Sequence, residues 1–430
     1  MTSFVIAPAS TSLQGTVTVP GDKSITHRAL ILGALADGCT RVTGYCQGED
    51  CLNTLRAIRQ LGVEVRDIPE GLEITGKGLW GLTEPANVLD CGNSGTGLRL
   101  LAGVLAGQEF FSVLTGDGSL RSRPMARIVK PLKLMGAQIS GRKGGDLAPL
   151  AIQGQELTSV VYDSPVASAQ IKSCVLLAGL FARGTTVVTE PQKSRDHTER
   201  MFAYLGIPYQ ETGCRVEVQG RQPFKGKPID VPGDISAAAF FLVAATIIPG
   251  SEVLLPNIGL NPERTGILDL LLKMGADISV VNPRTQSGEP VGDLKVRASR
   301  LHGIAIGAEM VPKTIDEFPI LCVAAALAEG ETRISGAKEL RVKETDRIHA
   351  MATELQRLNV SLEEKSDGLV IHGQSSLKGA VCRSYGDHRV AMSLAVAGLA
   401  ADSELSVDEV SCIETSFPGF HDKLLDLLTK

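Results

Sequence analysis

Cationic and hydroxyl side chains recur in this chain where apolar runs begin. Residues Val19 to Arg28 read Val-Pro-Gly-Asp-Lys-Ser-Ile-Thr-His-Arg and lead into the apolar run Ala29 to Leu35. A Pro-Gly turn followed by such a run is a helix start, with Lys23, Ser24 and Arg28 in or near its first turn. Helix N-termini carry unpaired N–H groups and a partial positive charge, so two added cations and a hydroxyl suit an anion. Taken alone, the segment is equally an ordinary capped helix with a solvated basic face. Other helix starts repeat the theme. Asn93 to Arg99 is a glycine-rich turn whose backbone at Gly95 can approach a phosphate or carboxylate closely. Ser168, Ala169 and Gln170 precede Lys172, and Asp387, His388 and Arg389 open a later apolar run. Asp234-Ile235-Ser236 reads as a cap.

Two further segments carry charge. In ELRVKETDRIHA, Lys343, Glu344 and Arg347 fall on an expected helix, where Lys343 and Arg347, four apart, share one face. The loop Gly116 to Met125 holds Arg123. Each, by itself, reads as solvated surface. Asp316 is discordant among so many cations and has two readings: a general base for a substrate hydroxyl, or the N-cap of a helix over 318–327. Cys91 reads as packing at a strand end.

The elements that must position these residues form a repeat. An Ala/Leu-rich helix, a tight turn and a β-branched strand recur six times, with the turns at Gly38, Gly107, Gly184, Gly250, Gly330 and Asp402. A second helix in each unit stops at LGV, MGA, LGI, MGA or LNV, where glycine or asparagine suits a left-handed C-terminal residue. An alternating strand follows in five units. The sixth unit is cut short by the chain end, so its missing strands are expected from the segment Phe4 to Val19. Val-Pro-Gly-Asp occurs at Val19 and again at Val231. The expectation is an α/β protein of two lobes, each of three βαβαββ repeats with buried parallel helices. Residues 1–20 plus 234–430 form one lobe and 21–233 the other, with hinge crossovers near 19–22 and 231–234 and a cleft into which the helix starts point.

A chain of 430 residues exceeds a single core. Its formal net charge of -5 argues against a nucleic acid or membrane partner, so an anion must be met by a local basic cluster. Nine scattered cysteines without a C-x-x-C pair suit free thiols in a reducing compartment, and neither a leader nor a membrane span is legible, so a cytoplasmic protein is expected.

PGDKSITHR, GNSGTGLRL, SLRSRPM, SAQIKS, IDEFP, LRVKETDR, GDHRVAMS and TSFPGF together resemble the signature segments of the EPSP synthase family over essentially the whole chain. That resemblance implies the two-lobed enolpyruvyl transferase fold, each lobe an inside-out, pseudo-threefold α/β barrel, and transfer of the enolpyruvyl group of phosphoenolpyruvate to the 5-hydroxyl of shikimate 3-phosphate, without metal or organic cofactor. A monomer is expected. It implies contacts to shikimate 3-phosphate from Lys23, Ser24, Arg28, Ser168, Ala169, Gln170, Ser194, Asp316 and Lys343. For phosphoenolpyruvate it implies Lys23, Gly95, Arg123, Gln170, Arg347 and Arg389. Asp316 would take the hydroxyl proton, Glu344 would protonate C3, and Lys23 would assist. Ala169 stands where many relatives carry a second serine, and Thr415 where one branch carries a lysine. The alternatives are UDP-N-acetylglucosamine 1-carboxyvinyltransferase, whose loop cysteine is missing from Gly116 to Met125, and a non-catalytic phosphometabolite-binding protein, which would not need Asp316 and Glu344.

Overall fold

Six helices are apolar on nearly every side: Lys23–Leu35, Gly95–Ala106, Ala169–Gly179, Ile235–Ile247, Phe318–Ala326 and His388–Leu399. Helices of that composition must be covered all round, and residues such as Leu32, Leu101, Leu176, Leu242, Val323 and Leu394 are fully or almost fully buried. Each such side chain contributes roughly 1.5–3 kcal/mol by leaving water. The structure, a computed structural model, describes residues 3–428.

The chain divides into two compact units. The N-terminal unit holds Gly21–Val231 together with Thr285–Glu289; the C-terminal unit holds the chain up to Pro20, Pro232–Arg284 and everything from Pro290 onward. The chain thus passes between units within the two Val-Pro-Gly-Asp segments. The tip Thr285–Glu289 belongs to a hairpin whose strands lie in the C-terminal unit, a grouping that no repeat pattern signals.

The N-terminal unit contains three sheets of one design. In the second, Leu89–Asp90 runs parallel to Phe111–Thr115, which pairs antiparallel with Leu147–Gln153, which pairs antiparallel with Gln138–Arg142. The third sheet repeats that order with Val161–Asp163, Thr185–Thr189, Arg215–Gln219 and Tyr209–Thr212. In the first, Asp37–Thr43, Gly71–Lys77 and Glu64–Ile68 are joined by Ile229–Asp230, which pairs with Val42 and Thr43 from the far end of the unit. The short parallel strand that opens the first sheet therefore lies some 190 residues along the chain from its partner and closes the unit on itself.

The C-terminal unit uses the same scheme with two differences. Gln14–Thr16 pairs in parallel with Glu252–Leu254 and so opens the fourth sheet. Ser3–Ile6 pairs antiparallel with Leu405–Asp408 in the sixth, which among the described residues has three strands instead of four. The two short strands expected before Val19 are present, but one of them completes the sixth sheet and the other serves the fourth. The final helix, Phe420–Asp426, packs Phe420 against Phe240, Phe241 and Phe417.

Turn chemistry follows the sequence. The helix-ending residues Gly62, Gly136, Gly206, Gly275 and Asn359 all have positive φ. A different constraint acts at Gly103, where an added Cβ would lie 2.3 Å from the Cys174 carbonyl oxygen. Two first helices cross there with their backbones in contact, which aligns their starting turns, Asn93–Arg99 and Ser168–Gln170. Gly103→Ala is therefore expected to cost about 1–3 kcal/mol of stability in a urea unfolding curve, and to weaken ligands held by either turn.

Candidate active site

Within the N-terminal unit the three first helices touch at their starting turns. Asp22 caps Lys23–Leu35 by accepting from the Ile25 N–H at 2.8 Å, and Ser94 caps Gly95–Ala106 by accepting from Gly97 at 3.0 Å. Ser168 occupies the third N-cap without a side-chain cap bond; its own N–H donates to Glu190 Oε1 at 2.8 Å. His27 lies between the first two helices, with Nδ1 2.8 Å from Thr54 Oγ1 and Nε2 3.4 Å from Ser94 Oγ. The second and third meet through Gln170, whose Oε1 accepts from Arg99 Nη1 at 2.5 Å and whose Nε2 donates to Thr96 Oγ1 at 2.8 Å.

Arg28 is buried and held by neutral oxygens. Its Nε donates to Thr198 Oγ1 at 2.7 Å, Nη1 to the Ser24 carbonyl at 2.8 Å, and Nη2 to Ser173 Oγ at 2.6 Å. Burial pushes its pKa down to about 10, with Glu199, Asp22 and Glu289 opposing that fall, so the guanidinium remains charged at neutral pH. Lys23 Nζ pairs with Asp50 Oδ2 at 2.8 Å. Arg123 donates to Asn93 Oδ1 at 2.7 Å and to Ser119 Oγ at 3.1 Å. A Cβ on Gly95 would meet Arg99 Nη1 at 2.8 Å and Arg123 Nη1 at 3.4 Å, so glycine leaves both guanidinium groups room at that helix start. Ser194 is at this end too, but its hydroxyl is engaged by Glu190 at 2.7 Å.

Within the C-terminal unit an arginine is the hub. Arg347 is fully buried and opens the helix Arg347–Arg357. Its Nε donates to Asp387 Oδ2 at 2.8 Å and its Nη2 to Glu344 Oε2 at 2.7 Å, while Nη1 lies 3.5 Å from Asp316 Oδ1. Burial alone would lower its pKa; Asp387, Glu344 and Asp316 reverse the sign and raise it, which fixes the positive charge. Arg389 Nη1 donates to the Asp316 carbonyl at 3.1 Å, and its Nη2 is 3.8 Å from Asp316 Oδ2. Asp387 also caps His388–Leu399 through the Arg389 N–H.

Two expectations change here. Asp316 is not an N-cap: Glu317 takes that position before Phe318–Ala326, and the Asp316 carboxylate faces Arg347 and Arg389 instead. Lys343 and Arg347 do not share a helical face. The helix begins only at Arg347 because Asp346 caps it, accepting from the His349 N–H at 3.0 Å, and Lys343 ends a preceding short 3-10 turn, Lys338–Val342. Asp234 does cap its helix, through the Ser236 N–H at 2.9 Å, and also pairs with Arg264 at 2.8 Å.

The structure thus gathers Ser24 with Arg28, and Gln170 through Arg99 near Gly95 and Arg123, in the N-terminal unit. In the C-terminal unit it gathers Asp316, Glu344, Arg347 and Arg389. Ala169 sits in the first turn beside Gln170 and brings no hydroxyl. Thr415 donates its hydroxyl to the Cys412 carbonyl at 2.7 Å. Sequence reasoning missed Arg99, Thr198, Asp50 and Glu190 as partners of the site residues. Arg99 lies inside a glycine-rich segment that drew notice for its backbone, and the others are distant in sequence. Among the described residues no group of three or more His, Cys, Asp or Glu side chains is arranged to hold a metal ion.

Residues 8–424 match the family model described as EPSP synthase (3-phosphoshikimate 1-carboxyvinyltransferase). Over 420 residues the chain is 57% identical to the 3-phosphoshikimate 1-carboxyvinyltransferase of Geotalea uraniireducens and 56% identical to that of Geobacter sp. strain M21, covering 98% of both chains in each case. A solved EPSP synthase from Acinetobacter baumannii superposes with a TM-score of 0.89 at 46% identity, across 99% of this chain and 98% of that one.

His27 provides a test of the N-terminal cluster. Burial, then Lys23 and Arg28, lower its pKa to about 3 from 6.5. A folded value below the unfolded one means that this contribution to stability is complete above about pH 6.5 and is lost as pH falls toward about 3. His27→Asn should therefore show a smaller drop in urea midpoint between about pH 7 and about pH 4 than the parent protein does.

Proposed function

The chain belongs to the EPSP synthase family, and from that premise we propose how its residues carry the family's reaction. It is a 3-phosphoshikimate 1-carboxyvinyltransferase, a transferase of the shikimate pathway that converts shikimate 3-phosphate and phosphoenolpyruvate to 5-enolpyruvylshikimate 3-phosphate and phosphate. Relatives at 51–57% identity share that name, which favours this activity over the UDP-N-acetylglucosamine and non-catalytic alternatives.

Lys23, Ser24, Arg28, Ser168, Ala169, Gln170, Ser194, Asp316 and Lys343 take shikimate 3-phosphate. Lys23, Gly95, Arg123, Gln170, Arg347 and Arg389 take phosphoenolpyruvate. The observation that carries this assignment is the pairing of Asp316 with Arg347 and Arg389 beside Glu344. Two carboxylates and two cations in contact suit a step that removes one proton and delivers another. Asp316, paired with Arg347 and Arg389, takes the proton of the 5-hydroxyl as that oxygen bonds to C2 of phosphoenolpyruvate. Glu344, entering this step as the carboxylic acid, delivers its proton to C3, giving a tetrahedral adduct with a methyl group, a carboxylate and a phosphate on C2. Glu344, now a carboxylate, takes a proton back from that methyl group as the C2–O bond to phosphate breaks, which restores the double bond, releases phosphate and yields the enolpyruvyl ether. Lys23 offsets charge as phosphate departs. Two anionic substrates repel each other, and the cations make their joint binding favourable.

The protein acts as a cytoplasmic monomer. Nine free cysteines suit a reducing compartment, and among the described residues no helix is long and apolar enough to cross a membrane.

Phosphate release should require both substrates together, and release from phosphoenolpyruvate alone at the same rate would refute the reading. Asp316→Asn should lower kcat by about 10²–10⁴-fold while calorimetry still detects shikimate 3-phosphate binding. Turnover near that of the parent would remove Asp316 as the base. Gly95→Ala should raise KM for phosphoenolpyruvate by about tenfold, as its methyl group displaces the Arg99 and Arg123 guanidinium groups.

A further inference from the structure

Behind Ser168 and Ser194 lies a buried charge cluster that none of the steps above uses. The Glu190 carboxylate accepts from the Ser168 N–H at 2.8 Å, the Ser194 N–H at 3.3 Å, and the Ser194 hydroxyl at 2.7 and 2.9 Å. Lys172 Nζ lies 2.9 Å from Glu190 Oε2 and 2.7 Å from Glu199 Oε1, and 3.4 Å from the Ser194 carbonyl. All three charged side chains are more than nine-tenths buried. The next residue along from Glu199, on its N-terminal side, is Thr198, which receives Arg28 Nε at 2.7 Å and shares a 2.7 Å hydrogen bond with Ser173.

We propose that Glu190 is a positioning residue for the phosphate of shikimate 3-phosphate, holding Ser168 and Ser194 in place and yielding the Ser194 hydroxyl to the arriving phosphate, while Lys172 neutralises it. This rests on the reading that Ser168 and Ser194 serve that phosphate. An ionised carboxylate only accepts, so Ser194 is the donor to Glu190, and a hydroxyl has one proton to give. A phosphate that takes that proton must therefore take it from Glu190. The two backbone N–H bonds stay behind and keep the segment in place. A carboxylate behind a phosphate site would repel its ligand, and in a water-poor setting that repulsion is large. Lys172 reduces the difficulty: it pairs with Glu190 at 2.9 Å, so the hydroxyls and N–H groups do not meet the phosphate with an unpaired carboxylate at their back. An anchor with a purely structural role would affect ligands with and without phosphate alike; a phosphate-positioning residue separates them.

The test is calorimetry with shikimate 3-phosphate and with unphosphorylated shikimate, alongside steady-state kinetics. Glu190→Gln keeps shape and one acceptor but loses the charge and the second acceptor. It should weaken shikimate 3-phosphate about tenfold or more, leave shikimate within about twofold, and raise KM for shikimate 3-phosphate with little change in kcat or in KM for phosphoenolpyruvate. Equal weakening of both ligands, or unchanged affinity for the phosphorylated one, would overturn the proposal. If Glu190→Gln does not yield folded protein, Glu190→Asp carries the same comparison, with a smaller but still phosphate-selective loss expected and an equal loss overturning it. Ser194→Ala separates the two levels of the argument. Selective loss in Ser194→Ala without selective loss in the Glu190 variants defeats the positioning role alone, whereas no loss in Ser194→Ala defeats the phosphate assignment beneath it.

Discussion

A buried charge must be given partners, and the way two arginines meet that requirement organises both units. Removing an ion from water costs several kcal/mol even after the protein relaxes around it. Arg28 meets this cost with two hydroxyls and a carbonyl, none of them charged. Arg347 meets it with carboxylates of Asp387, Glu344 and Asp316. The first arrangement leaves a cation whose charge no direct partner cancels, suited to holding an anion. The second leaves carboxylates fixed by one guanidinium, suited to moving protons. The proposed reaction thus assigns anion binding and proton transfer to the surroundings of one residue type.

Those surroundings depend on the repeat. Three buried helices per unit start side by side, so residues far apart in sequence become neighbours in first turns, as His27 and Ser94 do, or Asp316 and Arg389. Close backbone approach at Gly103 and Cys174 sets that alignment in the N-terminal unit. Stability and chemistry are therefore linked: the packing that excludes water from the helices is also what brings their N-termini together.

Much of this could be read from the residues. Uniformly apolar runs announced the buried helices, and left-handed stops such as Gly62 and Asn359 announced their ends, because few other residues adopt that backbone without strain. The signature segments pointed to Lys23, Arg28, Arg347 and Arg389, with Arg347 expected inside a helix that it in fact opens. Other features left no local trace. A spacing of four at Lys343 and Arg347 fits one helical face, yet Asp346 between them is also a cap, and the cap decided where the helix begins. The pairing of Gln14–Thr16 with the fourth sheet depends on where the whole chain returns. Long-range partners such as Asp50, Thr198 and Glu190 show no periodicity at all, since nothing in a sequence records an ion pair formed across distant turns.

The central proposal is that Arg28 and Arg347 both serve the proposed reaction. Steady-state phosphate release by Arg28→Ala, Arg347→Ala and the double variant, each checked for folding, tests it most directly. The account predicts that either single change lowers turnover by about 10²-fold or more, and that the double change costs much less than the product of the two, because groups acting as a unit are not additive. Near-normal turnover in either folded single variant would contradict it.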